Sequence, residues 1–523
     1  MNTTLRRTLA LASALVLGAT ACTDITTEPS STVTGANIFD DPSSYRAFLA
    51  KLYGGLQVTG QQGPAGAGDI EGIDEGFSHY LRQLWQLQEL PTDEAIIAWG
   101  DAGLPEMNTQ QWGASNQFLG AMYYRIFYQV SLANEFLRET TDAKLTSRGA
   151  TPALVAQVKE YRAEARFLRA LSYWHGIDLF GNIPLVTEED ALGNTPPEQA
   201  TRQELFDYVV AELNAIRPEL PAPGAGQYGR ADQGAVLMLL AKLYLNSGVY
   251  TGQNRFAEAR QAAEAVITSN GFQLDDVYQQ VFLADNHTSP EIIFPVPFDG
   301  RNTRTFGGVT FLIHASVGGN MNAASYGIDG GWFGLRVRPE LFNLYSAGDD
   351  RRDIFYTSGQ SVDINSISNF SDGVAAPKFR NVTSGGQPGS NATFPDTDYP
   401  MFRLADAYLM YAEAVLRGGG GSTAQALAYV NALRARAYGD ASGNITAEQL
   451  TLDFILAERG RELLWEGHRR TDLIRFGRFS TGGVWQWKGG VKAGKTTDAK
   501  FNLYPLPASE LQANPNLTQN PGY

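Results

Sequence analysis

From residue 151 onward, apolar and small residues recur at alternating spacings of four and three: Leu154, Val158, Tyr161, Ala165, Leu168 and Ser172. That rhythm predicts one helix with a single buried stripe, small where a neighbouring helix can approach. Thr151 followed by Pro152 supplies an N-cap and a first-turn proline, and Gly181 ends the segment. A second pair of helices is predicted from Asp232 through the nearly all-apolar run Ala235 to Leu245, a turn at Asn246-Ser247-Gly248, and Phe256 to Ile267. A third runs from Arg403 to Arg417, turns through Gly418 to Gly421, and resumes from Ala424 to Ala437. The two turns overlay, Ala241-Lys-Leu-Tyr-Leu-Asn-Ser-Gly248 on Ala412-Glu-Ala-Val-Leu-Arg-Gly-Gly419. Repeated helix-turn-helix units with small residues inside are tetratricopeptide-like, and such units bury their apolar faces only against neighbours. The expected fold is mainly α, a scaffold of stacked helix pairs.

Between Asp285 and Pro400 neither periodicity is sustained, and the composition turns to Gly, Asn, Ser, Thr and aromatics. A long irregular stretch inside a folded domain is usually functional or disordered, and Phe306, Phe311, Tyr326, Trp332 and Phe333 favour an ordered, functional one. The segments from Gly54 to Gly76 and from Pro91 to Trp112 read as loops too. Length alone would allow about three domains, but the pattern predicts one, spanning 36–523.

The beginning of the chain has a different logic. Arg6 and Arg7 precede an apolar run from Leu9 to Leu17 and then Gly18, Ala19, Thr20 and Ala21 before Cys22, which is the order of a secretory signal. The run is too short to span a bilayer. Cys22 is the only cysteine and stands where the small-residue cleavage site ends, so the leader resembles a bacterial lipobox. Residues 1–21 are expected to be removed, Cys22 to be lipidated, and 22–35, polar and aperiodic, to be a tether. No later apolar run is long enough to cross a membrane; Lys242 interrupts the best one, Ala235 to Leu245.

A formal charge of −14 and a pI near 5.0 argue against nucleic acid or an anionic membrane surface as partner. Several motifs suggest chemistry and fail on context. Gly489-Gly-Val-Lys-Ala-Gly494-Lys495-Thr496 has phosphate-loop spacing, but Pro505 and Pro507 follow within a dozen residues and prevent the helix such a loop needs. Glu458, Glu462 and Glu466 share one helical face, yet Arg459, Arg469, Arg470, Asp472 and Arg475 surround them, the pattern of a salt-bridge network rather than acid-base catalysis. His79, His175, His287, His314 and His468 show no metal-ligand spacing, so no metal or cofactor is expected. Ser316 lacks the leading glycine of a nucleophile elbow, because His314 takes that place.

Three stretches then resemble the SusD/RagB family: Tyr161-Arg-Ala-Glu-Ala-Arg-Phe-Leu-Arg-Ala-Leu-Ser-Tyr-Trp174 running into Leu179-Phe-Gly-Asn-Ile-Pro-Leu-Val-Thr-Glu188; Arg403-Leu-Ala-Asp-Ala-Tyr-Leu-Met-Tyr-Ala-Glu-Ala414 followed by Glu458 to Arg475; and the ending Leu503-Tyr-Pro-Leu-Pro to Tyr523. The resemblance implies a SusD-like fold with an N-terminal half to about residue 230 and a C-terminal half from about 231. It also implies a non-catalytic role: capture of oligosaccharide at the bacterial outer membrane, facing the exterior, and delivery to a SusC-like TonB-dependent transporter.

Glycan binding needs flat apolar faces for sugar rings, with carboxylates and amides for the hydroxyls. Trp99 and Trp112 flank the loop after Asp93 and Glu94, and Trp332 shares the central region with Asn320, Asn322 and Tyr326. The resemblance implies ligand-facing aromatics from these two regions, which makes Trp99, Trp112, Trp332, Tyr326, Asp93 and Asn320 the candidate glycan contacts. Each of the three tryptophans remains open between ligand contact and core packing, whereas Trp85, Trp174 and Trp465 read as core. The alternatives are a surface glycoside hydrolase using Asp93 and Glu94 with Asp329, and a peptide-binding helical scaffold.

Overall fold

The computed structural model describes residues 38–523 apart from Leu192 and Asn194; the signal, Cys22 and the tether lie outside the described residues. The helices of eight residues or more are α1 (Ser43–Gln57), α2 (Tyr80–Glu89), α3 (Gln117–Glu139), α4 (Pro152–Leu179), α5 (Arg202–Ile216), α6 (Gln233–Leu245), α7 (Phe256–Ile267), α8 (Gly308–Ala315), α9 (Leu404–Leu416), α10 (Thr423–Tyr438) and α11 (Leu452–Glu462). Four short strands, β1 (Ala95–Ile97), β2 (Ile292–Val296), β3 (Leu335–Val337) and β4 (Tyr399–Arg403), pair antiparallel as β1 with β3 and β2 with β4. The protein is mainly helical, as the periodicity predicts.

The predicted helix signals are realised atom by atom. Thr151 Oγ1 accepts the Leu154 amide at 3.3 Å, and Asp232 Oδ1 accepts that of Ala235 at 3.0 Å, each supplying an orphan donor of the first turn with a partner. The helices pack in chain order, α3 on α4, α4 on α5, α5 on α6, α6 on α7, α7 on α9 and α9 on α10, so the two predicted pairs stack on each other. Gly418, Gly420 and Gly421 all have positive φ in the turn between α9 and α10, which glycine adopts without strain.

Three expectations are corrected. The stripe on α4 widens after Tyr161 until almost every residue from Ala163 to Leu179 is buried, because neighbouring elements cover it on all sides. Its polar members survive by pairing: Arg169 donates to Asn134 Oδ1 at 2.6 Å and to Glu212 Oε2 at 2.9 Å. The turn at residues 246–248 is the start of a short helix, Ser247–Thr251. The irregular central region contains a full helix, α8, buried along its whole length.

The glutamate row is an ion network, but its partners come mostly from elsewhere in the chain. Glu458 and Glu462 hold Arg351 at 2.8 Å each; Glu462 and Glu466 hold Arg403; and Lys378 donates to Glu466 at 2.6 Å. Of the arginines near the row, Arg459 instead joins Asp406 and Asp472, and Arg475 joins Glu413 and Asp472. The network ties α9 and α11 to the strand β4 that opens α9, and leaves its carboxylates no freedom for catalysis.

Candidate functional site

The β1–β3 pair brings together two loops that lie far apart in sequence. Its register sets Ala95 against Val337, Ile96 against Arg336 and Ile97 against Leu335, and the ladder extends one step as Ala98 N–H donates to Gly334 O at 2.9 Å. All six strand residues are buried, and Arg336 satisfies itself on four backbone carbonyls, including those of Gly334 and Asp372. Just past the end of each strand stands a tryptophan. Trp99 Nε1 donates to Trp332 O at 3.0 Å, and the rings meet at a centroid distance of 6.3 Å. Gly334 is required here by close approach: a Cβ would come within 2.8 Å of the Trp99 ring.

The other support is the C-terminus of α8. The backbone N–H groups of Trp332 and Gly334 donate to the last-turn carbonyls of His314 (2.7 Å) and Ala315 (2.8 Å), and that of Phe333 to Val317 O (3.1 Å) just past the helix, so the segment supplies the helix end with donors from outside it. Phe333 is held at φ +54°, a left-handed conformation unusual for an aromatic residue, and its side chain is 50% exposed. Trp332 stacks on His314, and Phe306 stands 6.3 Å from it on another side. Beneath Trp99 the Arg82 guanidinium is held 4.2 Å from the rings of both Phe77 and Phe311, with its Nε given no partner, and burial pulls it down to about 9.

His314 is buried with both ring nitrogens against carbonyl oxygens, Gly330 O at 2.6 Å and Thr393 O at 3.0 Å. Burial holds it below the usual histidine range, while the two carbonyls and Asp329 pull the other way. Asp329 is exposed and accepts the Thr393 hydroxyl. Asn320 is exposed on the same 318–333 loop, and Tyr326 closes a 3-10 turn at residues 323–326 with its ring over Arg380 at 5.7 Å.

The six candidate contacts therefore separate. Trp99 and Trp332 form one half-buried aromatic face with Phe333 beside it, and Asn320 and Tyr326 belong to the loop that carries Trp332. Trp112 is corrected to core: it is 3% exposed, packs 5.0 Å from Phe501 and 4.7 Å from Tyr504, and donates to the Tyr523 hydroxyl at 3.0 Å. Asp93 is corrected to a structural ion pair, since Arg469 takes both its oxygens at 2.7 Å. Glu94 is buried beside Glu89, and burial together with the Glu89 charge raises it above the usual carboxylate range. The hydrolase alternative thus loses two of its three acids. Trp85, Trp174 and Trp465 are buried as expected. What sequence reasoning missed is His314, the ring on which Trp332 lies.

The other motifs resolve as structure. In residues 489–496 the Gly494 and Lys495 amides bond back to Val491 O and Lys488 O, and no helix leaves the loop at Thr496, the next being a single 3-10 turn at Ala499–Asn502. Ser316 Oγ donates to Ile313 O at 3.0 Å. Among the described residues no three His, Cys, Asp or Glu side chains gather to hold a metal ion, and no helix is long and apolar enough to cross a membrane.

The chain is 35% identical to the starch-binding protein SusD of Bacteroides thetaiotaomicron over 98% of this chain and 98% of that protein. It belongs to the SusD family. The SusD family model itself matches residues 352–523. SusD-like protein P2 of Formosa agariphila is 27% identical, covering 80% of this chain and 83% of the relative. Among solved structures, a SusD homologue from Bacteroides thetaiotaomicron superposes with a TM-score of 0.74 at 20% identity, covering 94% of this chain and 98% of that one. Surface glycan-binding protein A from the same organism, solved with laminarihexaose, gives 0.70 at 21%, covering 91% and 99%. These two show the shared fold. SusD-family membership makes the protein a non-catalytic binding protein.

Proposed function

We propose that the protein captures a glycan on the face made by Trp99, Trp332 and Phe333 and delivers it to a SusC-like TonB-dependent transporter in the outer membrane. The observation that carries this is the Trp99–Trp332 pair, two aromatic rings from the loops flanking the paired strands β1 and β3, locked by an Nε1–H donor and by the end of α8, with Phe333 exposed beside them. Preorganised rings cost little conformational entropy on binding and present the apolar faces that C–H surfaces of sugars need. Asn320, Tyr326 and Asp329, on the loop that carries Trp332, are the polar groups we assign to sugar hydroxyls.

The relative named starch-binding makes α-glucan the first ligand class to try. In this reading residues 1–21 are a signal, lipidated Cys22 anchors the protein to the outer membrane facing outward, residues 22–35 are the tether, and 36–523 form one domain with halves meeting near residue 230. Isothermal titration of the protein with maltoheptaose and laminarihexaose, alongside Trp332→Ala, tests the site. Binding lost in the variant supports the proposal; binding unchanged in the variant, or release of new reducing ends by the wild-type protein, overturns it.

A further inference from the structure

Among the described residues only two aromatic rings stand with the large apolar side chains left exposed, Phe333 at 50% and Tyr228 at 43%. Phe333 belongs to the face already described. Tyr228 does not, and it is held with equal care. Its hydroxyl donates to Asp398 Oδ2 at 2.6 Å, while the other oxygen of that buried carboxylate accepts Phe298 N–H at 2.7 Å. The Tyr228 ring meets the edge of His287 at 6.4 Å. Gly229, at φ +82°, lets the chain turn directly against Pro297, where a Cβ would approach the proline ring to 2.9 Å.

Two cavities share this ring as a wall, and a third is lined by its partners His287 and Asp398. One of about 400 Å³ runs past His287, Phe298, Arg301, Asp396 and Asp398. A second, of about 260 Å³, lies between Tyr228, Tyr53, Tyr161, Gln57 and Arg46. A third, of about 240 Å³, includes Tyr228, Phe272 and Pro290. Pro297 lines the first two, and Tyr228 lines the last two.

We propose that these cavities around Tyr228 form a second carbohydrate-binding site, for a further stretch of the same polysaccharide chain that lies on Trp332. The inference rests on the glycan reading of the first face. The lining is that of a sugar site: aromatic rings interleaved with carboxylate, amide, imidazole and guanidinium groups. An anionic ligand is disfavoured by Asp299, Asp396 and Asp398 along one wall. A metal ion is disfavoured because the Asp396 oxygens already accept from Gly300 N, Ser390 N and Ser390 Oγ.

One segment joins the two faces. Thr393 meets His314 through its carbonyl and Asp329 through its hydroxyl, and Phe394 packs on Phe306, which packs on Trp332. Five residues further, Asp398 anchors Tyr228. Five residues span at most about 18 Å, so one glycan of several sugar units reaches from one face to the other. Two weak sites on one chain convert the second contact into an intramolecular one and raise avidity without any new contact.

The test compares the full chain with Tyr228→Ala, His287→Ala and Trp332→Ala by calorimetric titration with soluble starch, laminarin, maltoheptaose and laminarihexaose, with melting temperatures measured in parallel. His287 is exposed, so its variant reports on the site even if Tyr228→Ala unfolds. Expected is a loss of about tenfold in affinity for the bound polysaccharide in Tyr228→Ala and a smaller loss in His287→Ala, the latter with the wild-type melting temperature. Wild-type affinity in both variants, with binding lost in Trp332→Ala, overturns the second site and leaves the first. Binding lost in Tyr228→Ala and His287→Ala but intact in Trp332→Ala upholds the Tyr228 site and overturns the assignment of the first face. No binding of any probe by the wild-type protein overturns both.

Discussion

Trp332 lies almost flat on His314, the ring centroids 4.7 Å apart and the planes inclined by 23°. The contact is reinforced through the backbone, since Trp332 N–H donates to His314 O at 2.7 Å. His314 lies wedged between Gly330 O and Thr393 O, with one carbonyl at each ring nitrogen and its single N–H donated to one of them, and this position between two loops sets the plane of the tryptophan that faces solvent. His314 is thus a positioning residue for the proposed glycan face. His314→Ala should weaken maltoheptaose binding by about 0.5–1.5 kcal/mol, the cost of ordering a freed side chain at an interface, whereas His314→Phe, which restores a stacking ring, should recover most of it. Titration calorimetry of the two variants decides; equal losses in both would show that the stack does not orient Trp332.

Trp99, Trp332 and Trp112 should part company on substitution. Trp99→Ala and Trp332→Ala should each cost about 2 kcal/mol or more of glycan affinity with a small change in melting temperature. Trp112→Ala should do the reverse, losing about 3–5 kcal/mol of stability, because its ring fills the space between Phe501 and Tyr504. Binding and unfolding calorimetry on the same three proteins give the answer.

His79 makes folding depend on pH. Its Nδ1 accepts the Leu81 and Arg82 amides at the start of α2, and its Nε2 donates to Gln57 O at 2.9 Å, so the ring must be neutral. Burial holds it down to about 3. The unfolded ring titrates near 6.5, so below that pH the unfolded chain takes up a proton that the folded chain refuses. The stability contributed by neutral His79 is complete well above pH 6.5, begins to fall as the pH reaches 6.5, and approaches a loss of about 1.4 kcal/mol per pH unit as the pH drops further toward 3. His79→Asn keeps an acceptor at the cap and removes this slope, so the gap between the two proteins should change by about 1 kcal/mol between pH 6.5 and 5.5 in urea unfolding, because the unfolded ring is only half protonated at pH 6.5. Parallel pH curves would refute the assignment.

Arg403 is the centre of the buried ion network, donating to Glu291, Glu462 and Glu466. Arg403→Met strands these carboxylates and should cost about 3–5 kcal/mol. Lys159→Ala is the contrast: its pair with Glu219, at 3.6 Å on the surface, should be worth about 0–1 kcal/mol. Urea midpoints of the two variants should differ accordingly.

Lipidation is tested apart from the fold. Cys22→Ala should shift the protein from the membrane fraction to the soluble or unprocessed one, and mass spectrometry of the membrane-extracted wild type should find an acylated Cys22. An unmodified cysteine there would refute the anchor.

The helix pairs were legible because their signals are local. Thr151-Pro152, Asp232 and the glycines at 418–421 each act within a few residues, and the structure uses them as written, while the four-and-three spacing located α4 but not how far its burial spreads. Helix α8 was not legible for a related reason. Val309, Phe311, Leu312, Ile313 and even His314 are all buried, so no polar face existed to reveal a period.

The candidate site divides along the same line. By itself the sequence determined residue types and the two regions that supply them, Trp99 in one and Trp332 in the other. Only the tertiary structure decided which tryptophans meet, because the hydrogen bond that joins Trp99 to Trp332 spans 233 positions and depends on the pairing of β1 with β3. Trp112 and Asp93 looked equally suited to a ligand, yet Tyr523 waits 411 positions away for one and Arg469 376 positions away for the other. Local periodicity is a property of a short stretch of chain. Whether a ring or a carboxylate is spent on its own protein or left for a ligand depends on what distant segments bring beside it.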